Sequence, residues 1–530
     1  GRPPRAHALL EGVERELHVV PAIHADLQSR TTPWSNFESA PPFVRNCCDK
    51  RVPRRRTPAR LRATLVWLQP TERTRMPDEK HPTTEGATAE DLETSERLID
   101  FIHHCPSMFH TAATISDRLD QAGFTYLPEG DAWDVEPGGS YYTTRNGSSV
   151  IAFRVGEDAL DRDAYHFQIT AAHADSPTYK AKSVPVLDGP ETYLRLNVEG
   201  YGGMIDYTWL DRPLSLAGRV LVRTATGIVS RLFAPDRDLV LIPSVAIHLD
   251  RTVNKGKEFN RAVDLCPLFS AGRLRKEDFD RMVAEGVGAK PEDILARDLF
   301  LVNRERPCIW GMADEFVSSP KLDDLQCAFA SLEAFVAEKN RRCVTVFACF
   351  DNEEVGSNTK QGAMSTLLHD TLVRANAALG MGEEDYLRAL SRSFLVSCDN
   401  AHGLHPNHPE LYDAENRCRL NGGPVVKEAA NQKYTTDAFS RAVFVSLCEK
   451  AGVPHQTFAN RSDMAGGSTL GNLSNTQVSV HAVDIGLPQL AMHSSYETAG
   501  TRDTTWTIRA LREFFSADLR ITGAERVDMV

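Results

Sequence analysis

Val344-Thr345-Val346-Phe347-Ala348-Cys349-Phe350-Asp351-Asn352-Glu353-Glu354-Val355-Gly356-Ser357 is the stretch on which the reading of this chain turns. Its apolar half reads as a buried strand, and that strand runs straight into adjacent carboxylates. Neighbouring Glu side chains at a strand end diverge in direction, so one can bind a cation while the other faces a water on that cation. Two solvated glutamates in a turn are the alternative, and the commoner outcome for a Glu-Glu pair taken alone. The choice depends on whether the rest of the chain supplies further ligands.

Outward from this strand the pattern is α/β. A helix is expected from about Leu322 to Lys339, a strand at Phe394-Leu395-Val396-Ser397, a helix near Thr436 to Ala451 and a last helix from Arg502 to Phe515. Upstream, helices on either side of Cys105-Pro106-Ser107 precede a hairpin signalled by Asn146-Gly147 and a strand at Tyr165–Thr170. Between them, the stretch from about Val184 to Leu301 alternates by two, as in Leu194-Arg195-Leu196-Asn197-Val198, and reads as an inserted β-rich domain. The expected organisation is a first catalytic part at 76–185, the insertion at 186–308 and a second catalytic part at 309–530.

Candidate ligands sit at the ends of these strands, where α/β sheets collect their sites. Ala172-His173-Ala174-Asp175-Ser176-Pro177 places a histidine two residues from a carboxylate that can orient it. Ser319-Pro320-Lys321-Leu322-Asp323-Asp324 puts Asp323 at a helix start, where a carboxylate usually only caps. Asp399 follows an apolar strand, and His493 lies in a near-apolar loop. Each alone is weak evidence. With Glu354 they form two histidines and three carboxylates, a set two zinc ions would accept if one carboxylate bridged them.

Net charge is −12 over 530 residues, which argues against general nucleic-acid binding. Residues 1–75 carry 14 Lys+Arg against 7 Asp+Glu, a net of +7, so the remainder carries −19. That basic segment, ahead of the first methionine at Met76, is expected to be a disordered tail or read-through sequence outside the core. No apolar run approaches the roughly 18 residues that span a bilayer, and no secretory leader is apparent, so no membrane association is expected. Eleven scattered cysteines without a C-x-x-C pair look like reduced thiols of a cytoplasmic protein.

Five ordered segments, His173-Ala174-Asp175-Ser176-Pro177, Ser319-Pro320-Lys321-Leu322-Asp323, Asp351–Ser357, Asp399-Asn400-Ala401-His402 and Pro488–Ser494, resemble those of the aspartyl aminopeptidases over residues 85–520. The resemblance implies a zinc-exopeptidase-like catalytic domain of mixed-sheet α/β class with an inserted dimerisation domain. It implies two Zn²⁺ per subunit, with Mn²⁺ or Co²⁺ as alternatives: His173 and Asp399 on one ion, Glu354 and His493 on the other, Asp323 bridging. Glu353 would be the general base and Asp175 would align His173. The substrates implied are peptides with an N-terminal Asp or Glu, for which Lys427 supplies the pocket cation with Tyr434 beside it. His248, from the insertion, would reach a neighbouring subunit's site within dimers and a tetrahedral dodecamer. Asp324 stands where the family commonly has Asn, and Ala465-Gly466 replaces a usual Pro-Cys pair. His402, His405 and His408 are expected to be loop packing or substrate-side contacts. A dizinc peptidase preferring neutral residues, and a catalytically silent assembly protein, are the competing readings.

Overall fold

The structure, a computed structural model, describes residues 86–529; the basic segment 1–75 lies outside the described residues. Its framework is a nine-stranded mixed sheet in which Val344–Phe350, Phe167–His173, Phe394–Cys398 and His481–Gly486 lie side by side and run parallel. The first three are buried at every position, as parallel strands covered on both faces must be, which explains their continuous apolar sequence. Side chains alternate between two cores. Phe347 and Cys349 join the core built with Phe329, Phe335 and Phe514, whereas Val344, Val346, Ala348 and Phe350 join the one built with Ile151, Leu367 and Leu372.

Helices Ala89–His103, Met108–Gln121, Leu322–Ala337 and Asp503–Ser516 pack on the first face, and Leu367–Ala378 with Glu383–Leu390 on the second. The Asn-Gly hairpin joins Ser140–Arg145 to Ser149–Val155, with Asn146 and Gly147 both at positive φ (60° and 64°) as such a turn requires. The strand expected at Tyr165–Thr170 begins two residues later and continues to His173, which puts the histidine at its end.

Between Phe167–His173 and Val344–Phe350 the chain leaves to build a separate sheet from Thr178 to Asn303. Its seven strands have their own core, including Tyr179, Leu196, Trp209, Leu216, Phe279 and Leu299. Ile294–Asn303 pairs with both Thr178–Asp188 and Pro213–Thr224, so six of the strands close on themselves and Gly227–Phe233 remains as an edge. The strand Thr178–Asp188 straddles residue 185. A five-stranded sheet that includes Phe316–Ser319, Glu497–Gly500 and Pro488–Leu490 completes the surroundings of the site. Nine described cysteines are free, and all but Cys308 are buried.

Candidate metal centre

Sheet register brings the first three positions together. Phe350 pairs with His173 across adjacent parallel strands, so Asp351–Glu354 leave the sheet beside the histidine. On its other side, Asp399 follows the end of Phe394–Cys398. Asp323 arrives from outside the sheet. The turn at Lys321 takes positive φ (59°), and Asp323 and Asp324, joined by a cis peptide bond, depart from helical dihedrals at the head of Leu322–Ala337. Asp323 is therefore no helix cap. His493 lies between Pro488–Leu490 and Glu497–Gly500, at φ 67°.

Asp323 is the centre of the arrangement. Its Oδ1 stands 3.4 Å from His173 Nε2 and its Oδ2 3.3 Å from His493 Nε2, so the two carboxylate oxygens face different histidines. Glu354 Oε2 is 3.4 Å from the same His493 nitrogen. Ligand atoms of His173, Asp323, Asp324 and Asp399 lie within 4.8 Å of one another, as do those of Asp323, Glu354 and His493. The histidines are oriented from behind: His173 Nδ1 is 3.0 Å from the Asp175 carbonyl oxygen, and His493 Nδ1 is 2.5 Å from that of Gly203. Each ring thereby turns Nε2 toward Asp323.

Asp175 was expected to align His173 through its carboxylate. Its backbone carbonyl takes the hydrogen bond instead, while the carboxylate stands 3.4 Å from Nδ1 and accepts from the amides of Glu353 (3.1 Å) and Glu354 (3.2 Å). A residue that sequence reasoning missed, Glu497, accepts from the amides of Asp323 (3.0 Å) and His493 (2.7 Å), tying the two backbones together. Its only sequence signal is a lone acid four residues past His493.

Burial and crowding set the charge states. Desolvation raises Glu353 to about 8, helped by Asp399, Asp175 and Asp323. Desolvation also holds Glu354 and Asp324 well above the carboxylate range. Burial opposes the charged form of His493, yet Asp323 and Glu354 lift it to about 10. His173 is likewise raised well above its ordinary value despite burial, Asp324 foremost. Asp323 goes the other way: the two histidines beside it outweigh burial and depress it. Without cations the cluster retains protons to neutralise itself.

The remaining expected residues divide. Lys427 is buried; its ammonium donates to the carbonyls of Asp399 (2.7 Å) and Asn400 (3.3 Å) and lies 5.2 Å from the Tyr434 ring centroid. Burial opposes its charge, but Asp399 keeps its affinity for the proton raised. His248 sits on an exposed segment, flanked by exposed Val245, Ile247 and Leu249. Beside His493 opens a cleft of about 210 Å³ lined by His402, His405, Tyr412 and Met492. His408 instead pairs with Glu410 at 3.0 Å.

The donors fit metal cations. Asp323 Oδ1, Asp324 Oδ1 and Glu354 Oε1 are buried without a hydrogen-bond partner among the described residues, a costly arrangement unless a cation completes it. Imidazole with carboxylate is a donor set suited to zinc.

Comparison with known proteins agrees. The model of the aminopeptidase I zinc metalloprotease (M18) family matches residues 101–515. A probable M18 family aminopeptidase 2 of Clostridium novyi is 42% identical over 430 residues, covering 80% of this chain and 99% of its own. Among solved structures, that of the Ape4 and Nbr1 complex matches with TM-score 0.76 and 34% identity over 80% of this chain and 86% of its own. The S. cerevisiae mApe1 dodecamer matches with TM-score 0.70 and 27% identity over 79% and 96%.

Proposed function

The chain belongs to the M18 family of zinc metallo-aminopeptidases, the aspartyl aminopeptidase family, and from that premise we propose a dinuclear aminopeptidase that removes N-terminal Asp or Glu from peptides. The observation that supports it best is Asp323, whose two oxygens face His173 and His493 separately. In this reading His173 and Asp399 hold one ion, Glu354 and His493 the other, and Asp323 bridges them. Zinc, when bound, supplies the positive charge that polarises the scissile carbonyl and acidifies water. Glu353 accepts the proton of the attacking water and returns it to the leaving amine. Asp175 fixes the Glu353 and Glu354 amides, so the two carboxylates keep separate directions. His402 and Tyr412, lining the cleft beside His493, border the substrate's path.

Lys427 would meet the acidic side chain. It spends two of its three N–H donors on the Asp399 and Asn400 carbonyls, leaving one for a ligand carboxylate. Those same bonds favour a second reading, in which Lys427 braces Asp399 and selects nothing. Turnover of aminoacyl substrates with Asp, Glu, Ala and Leu at the N-terminus, measured with metal content in the same preparation, separates them. Preference for Asp and Glu with about two ions per subunit supports the proposal. Equal turnover of all four substrates, or a single ion, overturns it in that part. Self-association through the inserted sheet, as dimers and a dodecamer, is the assembly we infer from the exposed apolar residues around His248. There His248 would reach the partner's cleft.

A further inference from the structure

The end of strand Tyr193–Tyr201 in the inserted sheet, with the residues that follow it, touches both halves of the cluster. The Tyr201 hydroxyl donates to Asp175 Oδ2 at 2.7 Å and accepts from Asn352 Nδ2 at 2.7 Å. Gly202 follows at φ +81°, where a Cβ would meet the Glu354 Cβ at 3.1 Å and its carbonyl oxygen at 3.2 Å. The Gly203 carbonyl takes His493 Nδ1, and the Ile205 amide donates to the His493 carbonyl at 3.0 Å. Four of the five residues Tyr201–Ile205, at and just after the end of that strand, thus reach groups from each candidate ion's surroundings.

The geometry points to Tyr201–Ile205 as a clamp through which the inserted sheet positions the ligands of both ions, with Tyr201 acting through Asp175 on His173, Glu353 and Glu354. The inference rests on the dinuclear reading above and adds residues to it. Asp175 is buried at 1% exposure and can only accept, so its orientation depends on the donors it finds. Two of these are backbone amides of the very segment it positions; the Tyr201 hydroxyl comes from elsewhere and fixes the carboxylate against rotation. Groups one step behind metal ligands typically affect metal affinity or activity about 10–100-fold. Gly202 is required for a separate reason, since a side chain there needs both a left-handed backbone and the space Glu354 occupies.

The test uses the assembled full-length protein loaded with Co²⁺. Tyr201→Phe keeps the ring that packs edge-on against Phe300 at 5.3 Å and removes only the hydroxyl. Wild type binding fewer than two cobalt ions overturns the dinuclear reading and the clamp with it. If wild type binds two, Tyr201→Phe should lower kcat and the affinity for one ion about 10–100-fold, leave KM within about threefold, and alter the cobalt d–d absorption. An unaltered spectrum with wild-type metal affinity overturns the role of Tyr201, whatever the activity. Gly202→Ala should perturb the other ion; an unchanged spectrum there overturns the reach to Glu354. Should Tyr201→Phe dissociate or unfold, Asp175→Asn decides, because it changes the acceptor without touching the inserted sheet. A wild-type spectrum in that variant overturns the proposal.

Discussion

The strand ends that carry His173, Glu353, Glu354 and Asp399 differ in construction from the regions that carry His402, Lys427, Tyr434 and His248. At the strand ends, position follows from register: once Phe350 pairs with His173, the carboxylates beyond it have nowhere else to go. Elsewhere the placement has other origins: Lys427 comes from the buried strand Val425–Glu428, and His248 from an exposed segment of the inserted domain. The difference implies that chemistry and selectivity are separable here, and substitutions on the two sides should fail in different ways.

The largest effect is expected at the strand ends. Glu353→Gln should lower kcat on the order of 10²–10⁴-fold while metal content stays at the wild-type value; steady-state kinetics beside metal analysis checks both, and retained turnover would remove Glu353 from its role. Asp323→Ala should release both ions, since it faces both histidines, and metal analysis after dialysis would show near-complete loss.

Next comes the second group. Lys427→Gln should cost Asp and Glu substrates about 10–100-fold, from a charged hydrogen bond of roughly 1.5–3 kcal/mol, and Ala or Leu substrates far less. A uniform loss would merge the two sides, with Lys427 a brace of Asp399.

A smaller effect concerns pH. In metal-free protein Asp351 and Asp503 are raised to about 7, and Glu353 and Glu497 to about 8, burial being the first cause throughout. Raised carboxyls bind more protons folded than unfolded between about pH 4.5 and 8, so stability present at low pH is lost as pH rises through that window. Metal-free Tm should fall on the order of 5–10 °C from pH 5 to 8, and metal-loaded protein should resist the change. His248→Ala should be smallest, within about 10-fold in the assembled protein and absent in isolated subunits, as sedimentation with matched assays would show.

How much was legible in the sequence follows the same division. The apolar runs before His173, Asp351 and Asp399 announced three buried strands, and the candidate residues at their ends could be picked out without further geometry. Glu497 and Tyr201 carried no such signal, because their importance comes from backbone amides and a carboxylate met only after a second and third sheet fold against the first. Lys427 could be named only through the resemblance, because a Lys-Glu neighbour pair says nothing about a strand whose Val425, Val426 and Lys427 are all buried.

Unequal shelter among the ligands carries one more consequence. The His493 side chain is 33% exposed, against 2% for Glu354, 3% for Asp323 and 1% for His173. Solvent therefore reaches the cluster from the His493 side, and if the dinuclear reading holds, the ion nearer His493 would be the first to depart and the last to arrive. On that reading a half-loaded protein, keeping the inner ion, would be a waypoint in stripping and refilling.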